Sequence, residues 1–260
     1  MRIFKRIFLT FLAVFVIAVG SFCLYLSDKY TVPIMMYHHV NDADPIQADT
    51  VSPKNFEDHM AFLKRHNFHV ISMDELVEAT VQKKEFPRKT VVITFDDAYE
   101  DNYRYAFPIL RKYNFPAIIF APSDFIGKEG YLTVAQLKEM MPEGIDIGGH
   151  TRTHTYLPGA PRDIQVDEIV NSKKILEKML GKEIKHFAYP IGGFNEEVKQ
   201  RVKETGYVSA STTNRGNDRF NKDVFELKRI RFGDRDVRPD IMWMKLSGFY
   251  NLFRKQKPGH

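Results

Sequence analysis

The stretch "TVVITFDDAYED", residues 90–101, sets two adjacent carboxylates, Asp96 and Asp97, directly after an apolar run rich in β-branched residues. Side chains alternate along a strand, so two neighbouring acids cannot both rest comfortably in apolar surroundings. A buried carboxylate is costly unless it is paired, hydrogen-bonded or bound to a metal. Either the strand ends here with both acids in water, or its end is the floor of a site.

Similar apolar runs recur on both sides of this one: "VPIMMYHHV" (32–40), "HVISM" (69–73), "PAIIFAP" (116–122), "IDIGG" (145–149), "HFAYP" (186–190), "YVSAST" (207–212) and "ELKRIRF" (226–232). Several are near-continuously apolar, which suits strands buried on both faces. Between them lie helical patterns. "SPKNFEDHMAFLKRHN" (52–67) opens with Ser52 as N-cap and Pro53 at the first helical position. "YEDNYRYAFPILRKYN" (99–114) must bend or break at Pro108. "RDIQVDEIVNSKKILEKMLG" (162–181) ends on Gly181 as C-cap, and "NEEVKQRVKETG" (195–206) starts on Asn195 and stops at Gly206. Strand and helix alternating over this length predict an α/β fold with a parallel sheet and crossover helices. A barrel and an open doubly wound sheet both fit, and in either the site lies at the carboxyl ends of the strands.

The chain of 260 residues is long enough for one large domain with its own core. Its net charge of +5, from 38 basic and 33 acidic residues, is too mild and scattered to indicate a nucleic-acid partner, though it tolerates an anionic membrane or wall surface. No Gly-rich phosphate loop is present, which argues against a nucleotide cofactor. The first residues differ from the rest. Arg2, Lys5 and Arg6 precede an uncharged, mostly apolar stretch from Ile7 to Leu26, about 20 residues and long enough to cross a bilayer as a helix. The basic residues would stay in the cytoplasm, leaving the remainder outside. A cleaved signal peptide is the rival reading. The single cysteine, Cys23, lies inside that stretch, so an exported domain has no disulfide, thiolate nucleophile or cysteine metal ligand.

Polar residues follow several strands. His38 and His39 come after "IMMY", His150 and His154 after "IDIGG", and the turn "IGGFN" after "HFAYP". Four apart, His150 and His154 would face the same way on one helical turn and share a metal. Gly148 and Gly149 before them permit close backbone approach. One carboxylate added to the pair makes a three-ligand set with positions left open for water. One acid of the Asp pair would ligate and its neighbour would be free as a base. His59, His66, His69 and His186 lack such partners and read as structural or solvated. His39 is expected to point away from His38. Glu100 and Asp101 read as the acidic first turn of a helix, and Trp243 as part of a C-terminal amphipathic helix.

"TFDD" after an apolar strand, followed by "HTRTH", resembles the first two motifs of the polysaccharide deacetylases, the NodB-homology group of carbohydrate esterases. "MMYHHV", "VSPKNFEDHMAFLKRHNFHVISMDEL" and "FAYPIGGFN" are similar more narrowly to the branch with poly-N-acetylglucosamine deacetylases, in which the motif order is permuted. The resemblance covers roughly residues 33 to 235 and implies a distorted (β/α) barrel, preceded here by the transmembrane helix. With the N-terminal stretch, this predicts an N-terminal membrane anchor or signal segment (1–30), a catalytic domain (31–245) and a basic C-terminal tail (246–260). It implies a divalent metal, commonly zinc, on Asp97, His150 and His154, with Asp96 as general base and His38 as general acid. Tyr189, Pro190 and Ile191 correspond to the substrate and oxyanion motif. The implied partner is an acetylated polysaccharide, de-N-acetylated outside the cytoplasm. Peptidoglycan or chitin fragments, or binding without catalysis, are the alternatives. Two departures stand out. The glycine expected after the Asp pair is Ala98, and the usual motif arginine is Ala188. Arg229 is the first candidate to replace that arginine and Arg231 the second.

Overall fold

The computed structural model describes residues 2–27, 29–43 and 47–259. Its centre is β5 (Thr90–Asp96), buried along its whole length. Period-two alternation divides this strand between two apolar layers. Val91, Ile93 and Phe95 join the larger cluster shared with the helices, while Val92 joins a smaller one with Ile34, Ile118, Phe120, Ala188 and Leu227 from other strands. Strands buried on both sides need apolar residues on both, which is why the run is nearly continuous.

The strands are β1 (Ile34–Tyr37), β2 (His39–Val40), β3 (Thr50–Val51), β4 (His69–Val70), β5, β6 (Ala117–Ala121), β7 (Ile145–Gly149), β8 (His186–Ala188), β9 (Ser209–Thr212), β10 (Leu227–Lys228) and β11 (Ile230–Arg231). The main sheet runs β10-β9-β8-β7-β6-β5-β1-β11, with β4 also on β5, and its pairings are parallel. The two ends of this order, β10 and β11, are consecutive in sequence and separated only by Arg229. The sheet therefore curls until its ends nearly meet. This decides between the two architectures in favour of a nearly closed parallel barrel, and Arg229 stands at its seam.

The helices are α1 (Arg2–Ser27), α2 (Pro53–Arg65), α3 (Met73–Val81), α4 (Phe107–Tyr113), α5 (Val134–Met140), α6 (Arg162–Val166), α7 (Ser172–Leu180), α8 (Glu196–Glu204), α9 (Pro239–Leu246) and α10 (Tyr250–Phe253). Ser52 caps α2 by accepting from Asn55 N, and Asn195 caps α8 by accepting from Val198 N. A π-helical turn (Asn102–Ala106) runs directly into α4, so the chain stays helical through Pro108, the second residue of α4, and the widened turn stands just before the proline where a bend is expected. Neither α3 nor α5 follows from the apolar periodicity, because both are short. Their capping boxes, Ser72 with Glu75 and Thr133 with Gln136, were the readable signals. Met73, Leu76 and Val77 of α3 pack into the smaller cluster. Trp243 lies on α9 against Phe62, His66 and Phe68.

The apolar window Phe4–Ser21 of α1 is wholly exposed. Such a helix cannot rest stably in water, which suggests a signal or anchor and an extracytoplasmic protein. The side chain of Cys23 lies outside the described ones. At the other end, α10 is followed by residues that bond to the barrel side: Lys257 N donates to Asn214 O, and Phe194 N donates to Gly259 O.

Candidate active site

Asp96 and Asp97 reach one cavity because the chain changes conformation between them. Asp96 follows Val92 and Thr94 on the inward face of β5. Continued alternation would send Asp97 outward into the helical layer. Instead Asp97 has φ +70° and Ala98 φ +56°, and this left-handed pair turns the second carboxylate back towards the strand ends. Ala98 adopts a conformation that glycine takes without strain, at a cost of about 1 kcal/mol. It is fully buried, and its carbonyl accepts from Leu132 N.

Asp97 Oδ1 lies 3.5 Å from His150 Nε2 and 3.4 Å from His154 Nε2. It is buried and has no hydrogen-bond partner among the described residues. One ligand atom from each of the three residues falls within 4.8 Å of the others. His150 Nδ1 lies 2.7 Å from Ala188 O, so it donates there and leaves Nε2 unprotonated. An orphaned buried carboxylate oxygen facing two imidazole nitrogens is a donor set that fits a divalent cation. The two histidines are not joined by a helical turn, as their spacing predicted. They stand on a tight turn in which Thr151 has φ +62° and His154 φ +60°. Gly148 and Gly149 let this segment lie close to its neighbours, since a Cβ would come 2.5 Å from the Phe120 ring at one and 2.4 Å from the Tyr207 hydroxyl at the other.

Asp96 makes a different set of contacts. Arg229 donates to both its oxygens, at 2.5 Å from Nη1 and 2.7 Å from Nη2, and also reaches Thr94 Oγ1 at 3.3 Å. The guanidinium is 0% exposed and lies 5.2 Å from the Phe120 ring. Burial alone would raise the Asp96 pKa. The charge and hydrogen bonds of Arg229, together with the nearby His150 and His38, overcome that effect and hold the carboxyl well below the usual range. Arg231, the second candidate, is exposed and makes no such contact. His38 Nε2 is 3.9 Å from Asp96 Oδ2. Burial lowers the His38 pKa, and the nearby carboxylates of Asp96 and Asp97 oppose that shift only in part.

His39 turns the other way, its Nδ1 2.7 Å from Asp101 Oδ2 and its ring stacked 3.6 Å from Tyr99. Asp101 is not the solvated helix-start acid that its position suggests. Its carboxylate also accepts from Val40 N, Asn41 Nδ2 and Asn102 Nδ2, while Asn102 Nδ2 donates to His38 O. These contacts tie residues 38–41 to the end of β5. Glu168 does the same for the histidine turn, accepting from Arg152 N, Thr153 N and Thr153 Oγ1. Sequence reasoning missed Thr94, Asp101 and Glu168. Only Thr94 carried a signal, being two residues from Asp96 on the same strand face.

The "AYPI" stretch behaves unevenly. Tyr189 does not present its hydroxyl to the cavity; it donates to Phe225 O, and the ring stacks on Phe194. Pro190 is buried, whereas Ile191 has φ +57° and is 58% exposed. Of the remaining histidines, His59 is buried on Tyr37, and His186 bonds Ser209 and Asp74. The Asp74, Asp146 and His186 group is geometrically compact, but Lys182 and Lys185 already neutralise its acids.

Two carboxylates and a histidine pair at the strand ends of a parallel barrel make a candidate metal site of hydrolytic character, and comparison with known proteins supplies the family. The polysaccharide deacetylase family profile matches residues 83–210. The chain is 36% identical over 199 residues, 76% of its length and 70% of the other's, to YxkH of Bacillus subtilis (strain 168), a protein named as a polysaccharide deacetylase. It is 27% identical over 206 residues to a poly-beta-1,6-N-acetyl-D-glucosamine N-deacetylase of Staphylococcus epidermidis, covering 69% of this chain and 71% of that one. The structure of the Streptococcus pyogenes deacetylase PplD in complex with acetate superposes with a TM-score of 0.77 at 30% identity, covering 83% of this chain and 97% of that one. The chain belongs to the polysaccharide deacetylase family and is a polysaccharide N-deacetylase family enzyme with a candidate metal site.

Proposed function

We propose that the protein removes N-acetyl groups from an N-acetylglucosamine-containing polysaccharide outside the cytoplasm, with α1 as an uncleaved anchor. The observation that carries this reading is the division of labour between adjacent acids. Asp96 is gripped by Arg229, while Asp97 Oδ1 faces two histidines without a hydrogen bond.

In this reading Asp97, His150 and His154 hold a divalent metal, most simply zinc given its preference for nitrogen and carboxylate ligands. When bound, that ion supplies Lewis-acid polarisation of the acetyl carbonyl and a lowered water pKa. Arg229 keeps Asp96 ionised and fixes both its oxygens, so Asp96 takes the proton from the attacking water. The carbon–nitrogen bond then breaks as His38 gives a proton to the departing amine, which cannot leave as an anion. A backbone N–H at Ile191 is the proposed donor to the developing oxyanion. The products are acetate and a free amino sugar. The Arg229–Asp96 pair favours catalysis over binding alone, because sugar binding has no use for a base held ionised in a buried site.

The test is acetate release from poly-N-acetylglucosamine, chitin and peptidoglycan oligomers by the full chain, before and after chelation and after restoring Zn2+. Release that stops on chelation and returns with metal is the expected result. A metal-replete protein that frees no acetate from any of them would refute the reading. Mass measurement of the membrane-extracted chain tests the anchor; a mature chain starting near Ser27 means a cleaved signal.

A further inference from the structure

Beside the barrel seam lies a cleft of about 820 Å³, lined by Gln47 and Ala48 ahead of β3, by Arg231 and Arg235 at and beyond the end of β11, and by Tyr250 and Arg254 from the C-terminal segment. Its charge is unbalanced. Lys245, Asp234 and Asp236 also line it, so four cations face two carboxylates there and a positive surplus remains. Lys245 pairs with Asp236 at 2.7 Å, and Asp234 accepts from Ser52 and Asn55. Arg231, Arg235 and Arg254 have no carboxylate partner among the described residues. Among the described residues Arg254 donates to Arg229 O, at 3.0 Å, and to Asn251 Oδ1, at 3.4 Å. Burial pushes the Arg254 guanidinium below its ordinary value, the mark of a cation taken from water without a counter-charge.

The cleft is also connected to the catalytic residues. Arg254 holds the carbonyl of Arg229, whose side chain grips Asp96. Arg231 is two residues further along the same backbone, and its charge reaches His38. Guanidinium groups match carboxylate and phosphate oxygens in a bidentate geometry that neutral sugar hydroxyls do not offer.

We propose that this cleft is an anion-binding subsite, and that the glycan processed here carries a carboxylate or phosphate close to the acetylated sugar. The inference rests on the deacetylase reading and narrows its substrate class. A glycan that gains free amines as it is processed becomes cationic, and three unpaired arginines would repel it. An acidic substituent reverses that sign.

The test uses the full-length, metal-loaded protein and three oligosaccharides of equal length. One is a neutral N-acetylglucosamine oligomer, one alternates with N-acetylmuramic acid and so bears carboxylates, and one bears phosphate. Binding is measured by calorimetry at low and high salt, and acetate release is measured in parallel. At least one anionic oligomer should bind about tenfold more tightly than the neutral one, with the advantage shrinking as salt rises. Which of the two does so identifies the group. Arg235→Ser and Arg254→Gln should bring the anionic-to-neutral ratio towards one, while Arg235→Lys should retain part of it. Equal affinity for all three oligomers overturns the proposal, and so does a preference undiminished in both charge-removing variants. An anionic preference without acetate release from any oligomer would leave the subsite standing and remove the deacetylase reading instead.

Discussion

Arg229 and Asp96, 133 residues apart, form a two-bond guanidinium–carboxylate pair in the buried interior of the barrel. Neither can be truncated without stranding the other's charge. Arg229→Met should destabilise the fold by about 3–5 kcal/mol and let burial raise the Asp96 pKa. The acidic limb of the rate profile would then move to higher pH. Urea unfolding and a pH–rate series check both parts. An unmoved acidic limb would separate Asp96 ionisation from Arg229.

His38 and His39 should differ sharply despite being neighbours. His38→Ala should lower turnover by about 10²- to 10⁴-fold, the usual worth of a general acid, with bound metal unchanged and the alkaline limb lost. His39→Ala should cost far less, because His39 faces Asp101 and Tyr99. Steady-state rates and metal content on both variants decide the point. Greater damage from the His39 change would reassign the proton donor.

Glu168 holds the turn between His150 and His154 through three hydrogen bonds, to Arg152 and Thr153 rather than to the proposed ligands. Glu168→Ala should weaken metal affinity by about 10- to 100-fold, the range seen when outer supports of a metal site are lost. Titration with Zn2+ against a competing chelator measures it. Affinity equal to the parent protein would mean that the turn is held by its own backbone.

His59 is buried against Tyr37, and burial lowers its pKa from the ordinary 6.5 to about 4. Between those values the unfolded chain binds a proton that the folded chain refuses. Stability is therefore full above 6.5 and falls as pH drops towards 4, by about 3 kcal/mol at the limit. Unfolding in urea at pH 5 and pH 7.5 should show the loss, and His59→Gln should flatten it. Equal pH sensitivity in the variant would place the titrating group elsewhere.

By itself the sequence determined what has a short repeat length. Two-sided apolar runs named the strands, caps and 3.6-residue periodicity named most of the helices, and the uncharged run Ile7–Leu26 stood out as long and apolar enough to cross a bilayer. The two acids at the end of β5, the two histidines after β7 and His38 after β1 were legible as strand-end groups for the same reason. Only the tertiary structure decided that the sheet nearly closes, since closure depends on β10 and β11 meeting opposite ends of one sheet order. It also decided that Arg229 rather than Arg231 meets Asp96, that left-handed backbone at Asp97 turns the second acid inward, and that Asp101 and Glu168 brace the site. Local patterning reports which face of an element is apolar. It carries no record of which charged residue lies opposite another after the chain has closed a loop of more than a hundred residues, because that pairing is set by packing of the whole barrel.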